Sequence, residues 1–123
     1  MRETISFGKA GEESAVKFLE NNGYRILERN FRNRFGEIDI IARDKDTLCF
    51  IEVRSRSSDF YGQPFETVIA RKQRKIAKLA FSYLFKRKIA FDIKARFDVV
   101  SAVPDKNGVL QIEIIKNAFE VRY

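Results

Sequence analysis

The stretch GEIDIIARDKDTLCFIEVR, residues 36–54, holds two apolar runs separated by the polar triplet Asp44-Lys45-Asp46. Short runs rich in β-branched residues on either side of such a break predict a β-hairpin. If the hairpin closes around Asp44 to Thr47 with Arg43 opposite Leu48, Asp39 stands directly across from Glu52. Directly opposed residues have Cβ atoms about 4.5–5.5 Å apart, and like charges there weaken a sheet unless something compensates. Strand alternation puts Glu52 and Arg54 on one face and sends Ile51 and Val53 into the other layer.

A divalent cation is the simplest compensation, because hard metals such as Mg²⁺ (or Mn²⁺) take carboxylate oxygens together with water and phosphate. Asp39 and Glu52 as ligands, with the cation of Arg54 beside them, give the layout expected for metal-assisted phosphodiester hydrolysis. The plain alternative is that both acids are solvated strand charges paired with Arg54, Arg56 or Lys45. Register decides between them, since a loop one residue longer or shorter turns Glu52 to the opposite face from Asp39.

Working outward, Ser6 to Asn22 reads as a helix with Ser6 as N-cap, Gly23 as stop, and Ala10, Ala15, Phe18 and Leu19 on its apolar stripe. Tyr24 to Phe31 reads as an edge strand, followed by a turn from Asn33 to Gly36. Gly62 and Pro64 mark a loop after the hairpin. From Ala70 to Lys88, Ile76, Leu79, Ala80, Tyr83 and Leu84 fall at helical spacing. The other faces of that helix carry Arg71, Lys72, Arg74, Lys75, Lys78, Lys86, Arg87 and Lys88 and no acid. Two further strands, ARFDVVSAV and VLQIEII, meet at the turn Pro104 to Gly108. The order predicts a single α/β domain over 1–123, a mixed central β-sheet flanked by helices.

Composition narrows the chemistry. The chain has 123 residues and no histidine, which removes His-paired nucleophiles and imidazole-bound zinc. Lys and Arg outnumber Asp and Glu by 24 to 17, a net charge of +7, which predicts attraction to polyanions. Lone Cys49 excludes an internal disulfide and reads as a buried thiol. With no long apolar run and no secretory signature at the start, the expectation is a cytoplasmic protein without membrane association.

The segments GKAGEESAVKFLENNGYRIL, RNFRNRFGEIDIIA, FIEVRSR, YGQPFETV, the basic run from Arg71 with AFSYL, RFDVV and NAF resemble the bacterial YraN family of predicted endonucleases. That family is in turn similar to archaeal Holliday junction resolvases within the PD-(D/E)xK nuclease superfamily. The resemblance spans about Gly8 to Phe119 and implies a restriction-endonuclease-like fold and metal-dependent cleavage of DNA, with branched or damaged DNA among the substrates. Asp39 in GEID and Glu52 in IEVR match the two motif acids, and Glu12 on the first helix matches a third member of the metal shell. A glutamate in a first helical turn is also favoured by the macrodipole alone.

Arg54 departs from the lysine of that motif. It keeps the charge but cannot lose a proton at ordinary pH, so its role is electrostatic. Lys72, in K-x-x-K-I, is the candidate to supply an ammonium from another element; the alternative is one more solvated charge. Arg32, Arg34, Arg56, Arg71, Lys75 and Lys78 are expected to contact nucleic acid through phosphate. Asp98, an acid inside an apolar strand, is expected to form a structural ion pair with Arg96 or another arginine; the alternative is a metal ligand. A homodimer would suit paired cuts across a junction. The competing expectation is a nucleic-acid-binding module on the same fold without turnover, to which Arg54 gives weight. A third is an interaction protein whose basic helix docks an acidic surface.

Overall fold

Helix α1 spans Arg2–Asn21 and stops where Gly23, at φ +89°, turns the chain. Tyr24 N donates to Leu19 O at 2.9 Å and Gly23 N to Glu20 O at 3.1 Å, the paired bonds of a Schellman cap. This computed structural model describes residues 2–55 and 70–119, with side chains over 9–54 and 73–118. Arg56, Gly62 and Pro64 lie outside the described residues, as do the side chains of Arg71 and Lys72. The helix begins earlier than its capping signal implies, so Ser6 lies inside it rather than at its N-cap. Ala10 is exposed, and the buried stripe runs through Gly11, Ala15 and Leu19 instead.

Strands β1 (Arg25–Asn33), β2 (Gly36–Asp44), β3 (Thr47–Ser55), β4 (Ala95–Pro104) and β5 (Leu110–Phe119) form one sheet in that order. All neighbours are antiparallel except β3 and β4, which run parallel. The parallel pair requires a crossover, and helix α2 (Ala70–Lys86) lies within it. The result is a mixed α/β sheet with a helix on each face.

The apolar side chains fall into two layers, with simple alternation broken in β2 between Ile38 and Ile40, which belong to opposite layers on either side of Asp39. Ile40, Ala42, Cys49, Ile51 and Val100 pack with Ala15, Leu19 and Tyr24 on the α1 side. Ile38, Ile41, Leu48, Phe50, Phe97 and Val99 pack with Ile76, Leu79, Ala80, Tyr83 and Leu84 on the α2 side. Every α2 residue expected in the core is there. Cys49 is fully buried, and burial pushes its thiol up to about 12. Among the described residues no helix is long and apolar enough to cross a membrane.

Candidate active site

The β2–β3 hairpin has the expected register: Asp44 pairs Thr47, Arg43 pairs Leu48, and the ladder continues to Ile40 opposite Ile51. There it stops. The next residues on the two strands are Asp39 and Glu52, so the acids stand at the point where the strands part. Val53 N, left without a partner on β2 by the parting, donates to Asp39 Oδ2 at 2.8 Å. The aspartate side chain thus stands in for a backbone carbonyl. Its other oxygen, Oδ1, accepts no hydrogen bond among the described residues.

Asp39 and Glu52 line one cavity of about 250 Å³ together with Glu37, Ile38, Ile51, Val53, Ile76 and Phe97. Burial pushes the Asp39 carboxyl up to about 6, against the Val53 hydrogen bond; the fields of Glu52, Glu12 and Glu37 add to the rise. Desolvation and like charge both disfavour the anion here, and one amide hydrogen bond does not offset them.

Glu52 and Arg54 share a face as alternation requires, and Arg54 Nε lies 2.7 Å from Glu52 Oε2 with both side chains about four-fifths buried. The Nε–H is not directed at that oxygen, so the contact is ionic rather than a formed hydrogen bond. Glu12 is drawn elsewhere: its Oε1 accepts from Arg29 Nη2 at 3.1 Å and from Asn30 Nδ2 at 3.3 Å, and Arg29 also holds Glu13 at 2.8 Å. Glu12 therefore reaches Asp39 through its field, with its carboxylate fastened to β1.

Glu37 is the cavity residue that sequence reading passed over. It sits two positions before Asp39, which alternation could have flagged, and it contacts Arg32 at 3.4 Å. Arg34, Lys75 and Lys78 come together with Phe35 and Arg74 around a separate cavity beside the β1–β2 turn. Arg32 is not among the residues lining that cavity and contacts Glu37 instead. Asp98 is fully buried and forms the expected ion pair, with Arg96 Nε 3.0 Å from its Oδ1.

The donor set fits a hard divalent ion in part. Two carboxylates flank one cavity, and one of them has an oxygen without a hydrogen bond among the described residues. Among the described residues no three acidic or cysteine side chains form a metal cluster, so the remaining positions of any ion would fall to water and phosphate.

Residues 11–102 match the model of a family described as "Uncharacterised protein family UPF0102". A protein of Syntrophus aciditrophicus is 51% identical over 123 residues, covering 100% of this chain and 95% of its own length. One of Persephonella marina is 53% identical over 119 residues, covering 94% of this chain and 95% of itself. One of Acetivibrio thermocellus is 54% identical over 117 residues, covering 91% and 89%. All three carry the name UPF0102 protein and nothing more specific. With a match of this extent, the chain belongs to the uncharacterised protein family UPF0102.

Proposed function

We propose that this protein is a divalent-metal-dependent endonuclease on a restriction-endonuclease-like fold, hydrolysing phosphodiester bonds of DNA. The observation that carries the reading is Asp39: a desolvated carboxyl, held by one backbone amide and raised towards neutrality, placed beside a second acid in a cavity open enough for a phosphate oxygen. A fold does not retain such an arrangement for stability, because each acid would be better placed in water.

Asp39 and Glu52 would hold Mg²⁺ or Mn²⁺, which on binding lowers the pKa of a water and polarises the phosphoryl oxygen. Val53 N fixes the Asp39 carboxylate in one orientation. Arg54 sets a permanent charge next to Glu52, suited to stabilising negative charge on the phosphoryl group and unable to accept a proton. Glu12, through its field, and Lys72, from α2, are the further contributors in this reading. Arg32, Arg34, Arg56, Arg71, Lys75 and Lys78 would hold the strand by its phosphates.

The contact between Arg54 and Glu52 favours a second reading, a DNA-binding module without turnover, because it already neutralises part of the charge that would draw a metal. One assay separates them. Purified protein with Mg²⁺ or Mn²⁺ is mixed with branched, single-stranded and duplex DNA; the nuclease reading expects cleavage that Asp39→Ala and Glu52→Ala each reduce by at least about a hundredfold. Salt-sensitive binding without cutting, unchanged by either substitution, would leave only the module.

A further inference from the structure

The cavity lined by Arg34, Phe35, Arg74, Lys75 and Lys78 measures about 280 Å³. Its four cations have no acidic partner among the described residues. Several arginines elsewhere are neutralised: Arg29 meets Glu12 and Glu13, Arg32 meets Glu37, Arg87 meets Glu28, and Arg96 meets Asp44 and Asp98. Here the positive side chains converge with no anion between them among the described residues, and that arrangement calls for an anion from outside.

The pocket is also held in shape. Asn33 Oδ1 accepts from Phe35 N at 2.8 Å and sets the turn. Gly36, at φ +138°, brings that turn onto α2, where a Cβ would lie 3.6 Å from Leu79 Cδ1 and 3.7 Å from Lys75 Cδ. The Phe35 ring then gathers two cations, the Arg34 guanidinium 5.1 Å and the Lys78 ammonium 5.6 Å from its centroid. Cation–π contacts of this kind restrain long side chains that would otherwise sweep through solvent.

Its position is informative too. Arg34 and Phe35 precede Glu37, Ile38 and Asp39 on one wall, and Lys75 and Lys78 flank Ile76 on the other. The cationic and carboxylate cavities therefore adjoin along one seam between β2 and α2.

We propose that the cationic pocket is a phosphate-binding site that seats one backbone phosphate of a nucleic-acid strand, which continues from there into the Asp39–Glu52 cavity. The second half rests on the endonuclease reading; the phosphate site does not. A bound phosphate would receive charge-assisted hydrogen bonds from a guanidinium fork and ammonium groups at once.

The test measures binding of a short fluorescein-labelled oligothymidylate in EDTA, where no cutting occurs. Arg34→Gln/Lys75→Gln is compared with Lys17→Gln/Lys106→Gln, which removes the same charge from surfaces outside the pocket. The pocket pair is expected to weaken binding at least about tenfold and to lower the salt slope by about 1–2, against about twofold for the control. Equal losses in the two pairs would mean diffuse attraction and would overturn the pocket. Cleavage that persists while the pocket pair binds normally sinks the phosphate site alone; a selective binding loss in a protein that never cuts DNA sinks the nuclease reading alone.

Discussion

Two aspartates sit inside strands of this sheet, and both close a gap in its ladder. At Asp39 the β2 and β3 strands part, and the carboxylate takes the stranded amide of Val53. At Asp98 the β4–β5 register slips between Phe97 and Val99, and the carboxylate takes the amide of Asn117, whose φ is +55°. From that shared start they diverge. Asp98 is surrounded by donors: Arg96 Nε lies 3.0 and 3.1 Å from its two oxygens and Tyr24 OH donates to Oδ2 at 3.3 Å. Arg96 in turn donates to Asp44 at 2.7 Å and to Tyr24 OH at 2.8 Å. Asp39 has one amide and three acids whose fields oppose it. The same residue in the same structural role is thus satisfied at one end of the sheet and left needy at the other. Satisfaction points to structure and need to a ligand.

The largest expected effect tests the satisfied end. Asp98→Asn leaves the buried Arg96 with a weakened partner and turns an amide group towards existing donors, so unfolding free energy should fall by about 3–5 kcal/mol. Urea denaturation measures it directly, and the labelling rate of buried Cys49 reports the same opening from inside the core. A loss below about 1 kcal/mol would remove the distinction between the two aspartates.

The needy end should respond with the opposite sign. Asp39→Asn keeps an acceptor for Val53 N and removes a buried charge, so the metal-free protein should gain on the order of 1–3 kcal/mol at pH 7. Because the folded-state pKa of Asp39 is raised to about 6, above the ordinary carboxylate value, its contribution to stability is fully present below about pH 4 and is lost as pH rises through 6. Unaltered protein should therefore weaken between those limits, and the Asn variant should not. A metal-free melting profile that is flat from pH 4 to 6 in both proteins would refute this.

Much of this contrast was readable in the residues themselves. The two-residue turn at Lys45 and Asp46 fixes the hairpin register, which brings Asp39 and Glu52 to the point where the strands part and into one cavity, and alternation sets Glu52 beside Arg54. The α2 stripe follows from periodicity. What escaped is what tertiary packing imposes on local preference. Asn30, Lys88 and Asn117 adopt positive φ without being glycine, and the β5 irregularity at Asn117, which completes the Asp98 network, carries no glycine signal. Glu12 was legible as an acid in a helical turn, but its attachment to Arg29 depends on how α1 lies across β1. Four convergent cations, without counter-charge among the described residues, needed the fold of the β1–β2 turn onto α2 before they became a pocket.

The smallest effect belongs to the rim of the satisfied end. Hydrogen bonding from Arg96 holds the Asp44 carboxyl below the usual range, and Arg96 and Lys116 add their charges. A lowered folded-state pKa reverses the sign argued for Asp39: the stabilisation is present above the ordinary carboxylate pKa of about 4 and is lost as pH falls through the lower folded value. Asp44→Asn should thus soften the acid limb of the stability curve and leave the stretch from pH 4 to 6 unchanged, while Asp39→Asn does the reverse. Urea midpoints of both variants across that range read the two limbs separately. If Asp44→Asn alters the upper stretch, or Asp39→Asn the acid limb, the two ends of the sheet are not electrostatically independent, and the raised proton affinity of Asp39 would have to be traced to the whole charge distribution rather than to its own cavity.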